Sequence, residues 1–223
     1  VSIAVRNGKT TAVVGESGCG KTTFLKLLLG IYNPSEGEIY LGSVPLSSVP
    51  PGEWRRCCGA VMQDGYIFSD TISANIALSG DEPDPEDVRK AARMANIEEF
   101  IESLPQKYET LIGNDGHGLS QGQRQRILIA RAIYKNPGFL FFDEATNALD
   151  AGNESVIMGN LRSFFEGKTV VIAAHRLSTV KNADLIVVLE KGRVAETGTH
   201  SELTSSGGVY YRLIQKQLES GSS

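Results

Sequence analysis

The chain has 223 residues, 41% of them apolar and 22% charged, with a net charge of -4. This balance fits a globular protein with a sizeable core and supplies no general attraction to nucleic acid or anionic membrane. Its longest apolar runs, TVVIAA and LIVVL, are strand-length, short of the roughly 20 residues that a spanning helix needs, and no signal peptide is visible. The three cysteines, Cys19, Cys57 and Cys58, lack paired Cys-x-x-Cys spacing, which argues for free thiols in a reducing, cytosolic compartment.

In chain order, VSIAVRNG alternates weakly as a short strand, and TTAVV is a buried apolar run that enters a glycine-rich loop and then the helix KTTFLKLLLG. That loop, GESGCGKT, matches G-x-x-x-x-G-K-[ST] through Gly15, Gly20, Lys21 and Thr22 and sits between strand and helix, the context that a phosphate loop requires. The glycines let successive N–H groups turn inward onto phosphate oxygens, the helix N-terminus adds its dipole, Lys21 reaches the β and γ phosphates, and Thr22 offers a hydroxyl to Mg²⁺. GEIYLG reads as a hairpin strand and CCGAVMQD as another strand ending on a polar pair.

From about Ser69 to Asn136 the pattern turns helical. Asp84-Pro85-Glu86 is a start signal, with Val88, Ala91, Ala92 and Ala95 on one face, and a short helix runs through Phe100 to Leu104. In GLSQGQRQRILIARAI, Ser120 and Gln123 form an S-x-x-Q capping box, and Gly122 strips side-chain bulk from the first turn so that an anion could approach its N–H groups. After Pro137 strands return in FLFFDE, TVVIAAH and LIVVLE, with a helix around Ser155 to Phe165, the alternation of a parallel sheet covered by helices. FLFFDE delivers Asp143 and Glu144 to the C-terminal edge of the sheet. There Asp143 can hold Mg²⁺ through its water shell, and Glu144 can polarise an attacking water as general base. The serine-rich end, ESGSS, reads as disordered.

GESGCGKT, Gln63 at a strand end, LSQGQ, FLFFDE, NALD and His175 occur in the order and spacing of the ATP-binding cassette of ABC transporters, and the resemblance covers essentially the whole chain. It implies one α/β domain: a P-loop NTPase core of mainly parallel sheet with an antiparallel β subdomain (1–68 and 137–223), and an inserted α-helical subdomain carrying the signature (69–136). It implies ATP and Mg²⁺ as ligands. Gly15, Glu16, Ser17, Gly18, Cys19, Gly20, Lys21, Thr22 and Thr23 would surround the phosphates, and Thr22, Gln63 and Asp143 the metal. In that family two cassettes form a head-to-tail dimer with two ATPs between them, so Ser120, Gly122 and Gln123 would act on the nucleotide held by a second copy. Gln63 would sense metal and water and link the core to the helical insertion, where the membrane partner docks. His175 would hold the γ phosphate, and Asp150 would cross the dimer interface to set the geometry around Glu144.

The chain departs from the family pattern at Gln121, where glycine is commonest, and at Asn147, where serine is usual. The family also places an adenine-stacking aromatic upstream of the strand that begins here. The resemblance therefore implies an N-terminally truncated cassette with weakened ATP binding, since base–aromatic stacking contributes on the order of 1 to 3 kcal/mol.

DGYIFSDTISANIAL and YETLIGNDGHGLSQGQRQR resemble exporter cassettes. Thr110, Ile112, Gly113 and Gly116 fit the T-x-[VI]-G-x-x-G segment that contacts transmembrane coupling helices, with Asn114 where an acidic residue is usual and Asp115 next. MQDGYIFSDTI is most similar to bacterial peptide and bacteriocin exporters that carry a leader peptidase. The implied setting is the cytoplasmic face of the inner membrane, reached through a transmembrane partner and not by direct insertion, with no nucleic-acid partner expected. The alternatives are a soluble ABC ATPase of DNA repair or translation, an importer ATPase subunit, and a catalytically silent regulator. The interval between Thr22 and Ser120 holds no sustained heptads, there is one cassette, and Glu144 and His175 are both present, so ATP hydrolysis coupled to export is the leading expectation.

Overall fold

A computed structural model describes residues 1–78, 82–113, 116–149, 151–174 and 176–220. In chain order they form β1 (Thr10–Val14), α1 (Lys21–Leu28), β2 (Tyr40–Leu41), β3 (Val44–Pro45), α2 (Pro51–Cys57), β4 (Cys58–Val61), β5 (Asp70–Thr71), α3 (Ile72–Ala77), α4 (Pro85–Met94), α5 (Glu98–Ser103), β6 (Leu111–Ile112), α6 (Gln121–Lys135), β7 (Phe139–Asp143), α7 (Ala151–Phe165), β8 (Thr169–Ala173), α8 (Leu177–Val180), β9 (Leu185–Glu190), β10 (Arg193–Gly198), α9 (His200–Ser206) and α10 (Val209–Ser220). They divide into two compact units: Val1–Cys58 with Gly138–Glu144 and Gly167–Ser223, and Gly59–Pro137 with Ala145–Glu166.

The first unit is α/β. β1 lies between β8 and β9 and runs parallel to both, with Thr11 opposite Val171 on one side and Leu185 on the other. β7 extends the parallel run beside β8, and β10 closes the other side antiparallel to β9. Ala12, Val13, Leu140, Phe141, Val170, Val171, Ile186 and Val187 are all buried, as strands covered on both faces require. Each fully buried valine or leucine contributes about 1.5–3 kcal/mol of transfer free energy. β2 and β3 form the expected hairpin, pairing Tyr40 with Pro45 and Leu41 with Val44.

Trp54 of α2 packs on Phe139 and Phe141 of β7, with ring centroids 4.8 and 6.5 Å away, and donates its indole N–H to Leu28 O at the end of α1 (2.9 Å). VSIAVRNG departs from the expectation of a strand: residues 1–6 lie in no ladder, and only Ile3 and Val5 among them are even half-buried, so the weak alternation has no apolar face to fix it. The chain beyond Ser220, most of the serine-rich end, lies outside the described residues.

The second unit is mainly helical. Asp84 caps α4, its carboxylate accepting from Glu86 N at 2.8 Å, and α6 packs against α3 and α4. β5 and β6 form a two-residue antiparallel ladder, Asp70 opposite Ile112 and Thr71 opposite Leu111. Residues 145–166 belong to this unit although they follow directly on β7: Asn96 Nδ2 donates to Asn153 Oδ1 (2.8 Å) and Asn160 Nδ2 to Met94 O (3.1 Å), tying α7 to the end of α4.

Candidate functional site

Gly15 leaves β1 with φ 154°, and a Cβ there would overlap Leu189 O, so the loop can run this close to β9 only with glycine. Cys19 O accepts from Gly192 N at 3.1 Å, which pins the loop to the turn between β9 and β10. Gly20 then starts α1 with φ 106° and offers no side-chain cap, and no acidic residue occupies the first turn. The first N–H groups of α1 are therefore disposed toward an anion.

Lys21 is buried, 4% exposed. Its ammonium donates to Gly15 O at 3.0 Å and Glu16 O at 3.2 Å, and Cys19 Sγ lies 4.0 Å from it. Glu16 thus meets Lys21 through its backbone. The Glu16 carboxylate points elsewhere and pairs with Lys216 of α10 at 2.7 Å, and that hydrogen bond, with the Lys216 charge, holds its carboxyl below the usual range. Ser17, Gly18 and Thr23 are exposed and Cys19 is buried.

At the end of β7, Asp143 is fully buried, and its Oδ1 accepts from Thr22 Oγ1 at 3.1 Å. A hydroxyl and a carboxylate so placed are hard oxygen donors suited to Mg²⁺, which keeps most of its water and phosphate ligands and needs few from protein. No group of three or more His, Cys, Asp or Glu converges among the described residues. Glu144 follows with φ 51°, a left-handed backbone for a residue with a side chain, held by Glu144 N donating to Ala173 O at 2.9 Å. Strain of this kind is retained where the surrounding structure fixes it, often at functional sites. The Glu144 carboxylate, 15% exposed, lies 3.9 Å from the Lys21 ammonium. Lys21, Thr22, Asp143 and Glu144 therefore converge within the first unit.

Ser120, Gly122, Gln123 and Gln63 lie in the second unit. Ser120 Oγ accepts from Gln123 N at 3.2 Å, and Gln123 Oε1 accepts from Ser120 N at 2.8 Å, closing the capping box. Gly122 has a use within the chain as well. A Cβ there would sit 3.2 Å from Ala148 O and 3.8 Å from Leu149 Cδ2, so the glycine admits the NALD turn against α6. Gln63 is exposed in the turn after β4. His175 and Asp150, and Asn114 and Asp115 of the exporter-like segment, lie outside the described residues.

A network that the sequence reading missed surrounds Asn75, which is fully buried on α3. Its Nδ2 donates to Phe68 O and Thr71 O (both 3.0 Å) and its Oδ1 accepts from Phe68 N at 2.8 Å. Arg131 of α6 adds donations to Asn75 Oδ1 at 3.2 Å, Asn75 O at 2.8 Å and Tyr66 O at 2.9 Å. Burial lowers the Arg131 pKa to about 10, which leaves it charged at neutral pH. The signal in the sequence was one polar residue at a core-facing helical position, Asn75 between Ile72 and Ile76. The segment so fixed presents Tyr66 and Phe68 at 58% and 44% exposure, and Leu111 of β6 is 56% exposed.

The sequence profile of the ABC transporter family matches residues 1–147. Over 218 residues the chain is 45% identical to an ATP-dependent lipid A-core flippase of Chromobacterium violaceum, covering 98% of this chain and 37% of that protein. Over 219 residues it is 46% identical to the leukotoxin translocation ATP-binding protein LktB of Mannheimia haemolytica, covering 98% and 31%. A solved bacterial Atm1-family ABC exporter with ATP bound superposes with a TM-score of 0.91 at 41% identity, over 95% of this chain and 37% of that one. The chain spans about a third of the length of the curated relatives it matches.

Proposed function

The chain belongs to the ABC transporter family, as an exporter-type ATP-binding domain, and from that premise we propose that it hydrolyses ATP to power export through a transmembrane partner. The convergence of Lys21, Thr22, Asp143 and Glu144 carries this reading. The Gly15–Thr22 loop binds the phosphates, Lys21 bears on the β and γ groups, and Thr22, Asp143 and Gln63 would hold Mg²⁺. The metal, when bound, neutralises charge on the transferring phosphoryl group. Glu144 orients the attacking water and accepts its proton, and the fixed backbone and the nearby ammonium hold its carboxylate in position. His175 holds the γ phosphate.

Two copies act head to tail. Ser120 and Gly122 of one face the nucleotide of the other, Gln123 supports them from within the capping box, and Asp150 crosses between copies. The exposed Tyr66 and Phe68, with ring centroids 5.0 Å apart, and the exposed Leu111 offer apolar side chains suited to the transmembrane partner at the cytoplasmic face of the inner membrane. No helix among the described residues is long and apolar enough to cross a membrane. As to cargo, we infer a peptide or bacteriocin from MQDGYIFSDTI; the matched relatives are named for lipid A-core and for leukotoxin.

The test is the solution mass of Glu144→Gln with and without MgATP, measured by light scattering beside the same protein carrying Ser120→Arg. The expected result is an ATP-dependent doubling that Ser120→Arg abolishes while ATP stays bound. A doubling indifferent to Ser120→Arg would overturn the assignment of the signature to the partner's nucleotide. A mass that stays monomeric with ATP bound would overturn ATP-driven pairing of this chain.

A further inference from the structure

Thr146–Leu149 follows directly on Glu144 in sequence, yet it packs with α6 in the second unit. Three contacts hold it. Ala148 N donates to Gln125 Oε1 at 3.2 Å, Thr146 Oγ1 donates to Glu154 Oε1 at 3.0 Å in a buried setting, and Leu149 N donates to Thr146 O at 3.0 Å, closing the turn on itself. On the far side of Ala148, its carbonyl rests against the bare Cα of Gly122. Thr146, Leu149 and Gln125 are all buried, and Asn147 alone is exposed.

Gln125 is unusual in this company. It is 8% exposed, followed by the buried run Ile127, Leu128, Ile129 and Ala130, and a buried amide costs stability unless its polar atoms are matched. Its acceptor serves the backbone of a turn 23 residues away, where helix capping and local pairing have no reach.

We propose that Gln125 is a positioning residue that locks the Thr146–Leu149 turn to the N-terminal part of α6, so that the signature residues Ser120 and Gly122 and the turn leading out of Glu144 move as one body. The functional half of this inference rests on the paired-cassette reading above. A shift of α6 on meeting a partner's nucleotide is then passed to the turn through Gln125 and Gly122, and from the turn to Glu144 by two peptide bonds of chain. Closure of the signature and placement of the base become one event.

The test compares Gln125→Leu, which removes the acceptor at similar volume, with Gln125→Glu, which keeps an oxygen there. Amide exchange at Ala148 is measured without nucleotide, and the dimer dissociation constant is measured with MgATP in the Glu144→Gln background. Gln125→Leu is expected to speed Ala148 exchange about tenfold and to weaken the dimer about tenfold, with ATP affinity of the single cassette unchanged. Gln125→Glu, which keeps an oxygen acceptor, is expected to hold Ala148 exchange within about twofold even as its buried carboxylate lowers overall stability, and exchange as fast as in Gln125→Leu would trace the effect to general destabilisation and overturn the proposal. Unchanged exchange, or faster exchange with dimer affinity intact, overturns the proposal. If Glu144→Gln itself stays monomeric, the pairing reading has failed on its own account and the functional half falls with it, while Ala148 exchange alone decides whether Gln125 positions the turn. If Gln125→Leu does not fold, Gln125→Met, equally without an oxygen acceptor, gives the same comparison.

Discussion

α1 begins on Gly20, which offers nothing to the N–H groups of the first turn, whereas α6 begins on Ser120, whose hydroxyl and the Gln123 amide answer each other across a closed capping box. Both starts carry glycine and neither has an acidic first turn. The first depends on what it binds to satisfy its donors, and its lysine meanwhile rests on loop carbonyls. The second is complete without a ligand and arrives as a preformed surface. Under the proposed function, one helix start receives the chain's own nucleotide, and the other is a preformed face offered to a second copy.

The largest effect that would sharpen this contrast falls on chemistry at the first start. Glu144→Gln is expected to lower turnover by about 10² to 10⁴, the range for loss of a general base, measured as steady-state phosphate release; normal turnover would remove Glu144 from that role. Lys21→Ala is expected to raise the Kd for ATP about a hundredfold by calorimetry, as loss of charge-assisted bonds to phosphate predicts, with the fold of α6 untouched.

A third effect comes from α10, which borders the phosphate loop. Tyr210 and Ile214 line, with Gly15, Glu16 and Ser17, a cavity of about 360 Å³. Burial pushes the Tyr210 hydroxyl up to about 12, and it shares a 2.8 Å hydrogen bond with His200 Nδ1. Because the folded pKa is raised, this contribution is fully present below the unfolded value near 10 and is lost as pH rises through 12. The unfolding free energy should therefore fall by about 2 kcal/mol between pH 9 and 12, a slope that Tyr210→Phe would flatten. The smallest effect belongs to the self-sufficient start. Ser120→Ala should cost about 1 kcal/mol, or about 2–4 °C in Tm, in the absence of any nucleotide. Unchanged melting would mean that the capping box does not support α6 on its own.

What could be read from sequence was what is contiguous or locally periodic. Gly15 to Thr22, the strand FLFFD, the Asp84 cap and the Ser120–Gln123 box each lie within one turn or one strand, and each has the local structure expected of it. What could not be read depends on residues far apart in the chain. Gln125 meets Ala148, Arg131 meets Tyr66, and α7 joins the end of α4, and no local period announces such pairs. Gly122 shows the boundary most sharply: its lack of a side chain suggested room for an anion, and only the packed turn at Ala148 reveals a neighbour in its own chain. The first residues went the other way, since weak alternation in VSIAVRNG suggested a strand where Ile3 and Val5 are only half-buried and no ladder forms.

Trp54 is the chain's sole tryptophan. It is 6% exposed, stacked obliquely on Phe139 and bonded to the last turn of the helix that Lys21 begins. Its emission should therefore be blue-shifted in the folded protein. Any movement of α1 along its axis would register in the spectrum without an added label, so the protein carries its own optical gauge of what happens at its phosphate loop.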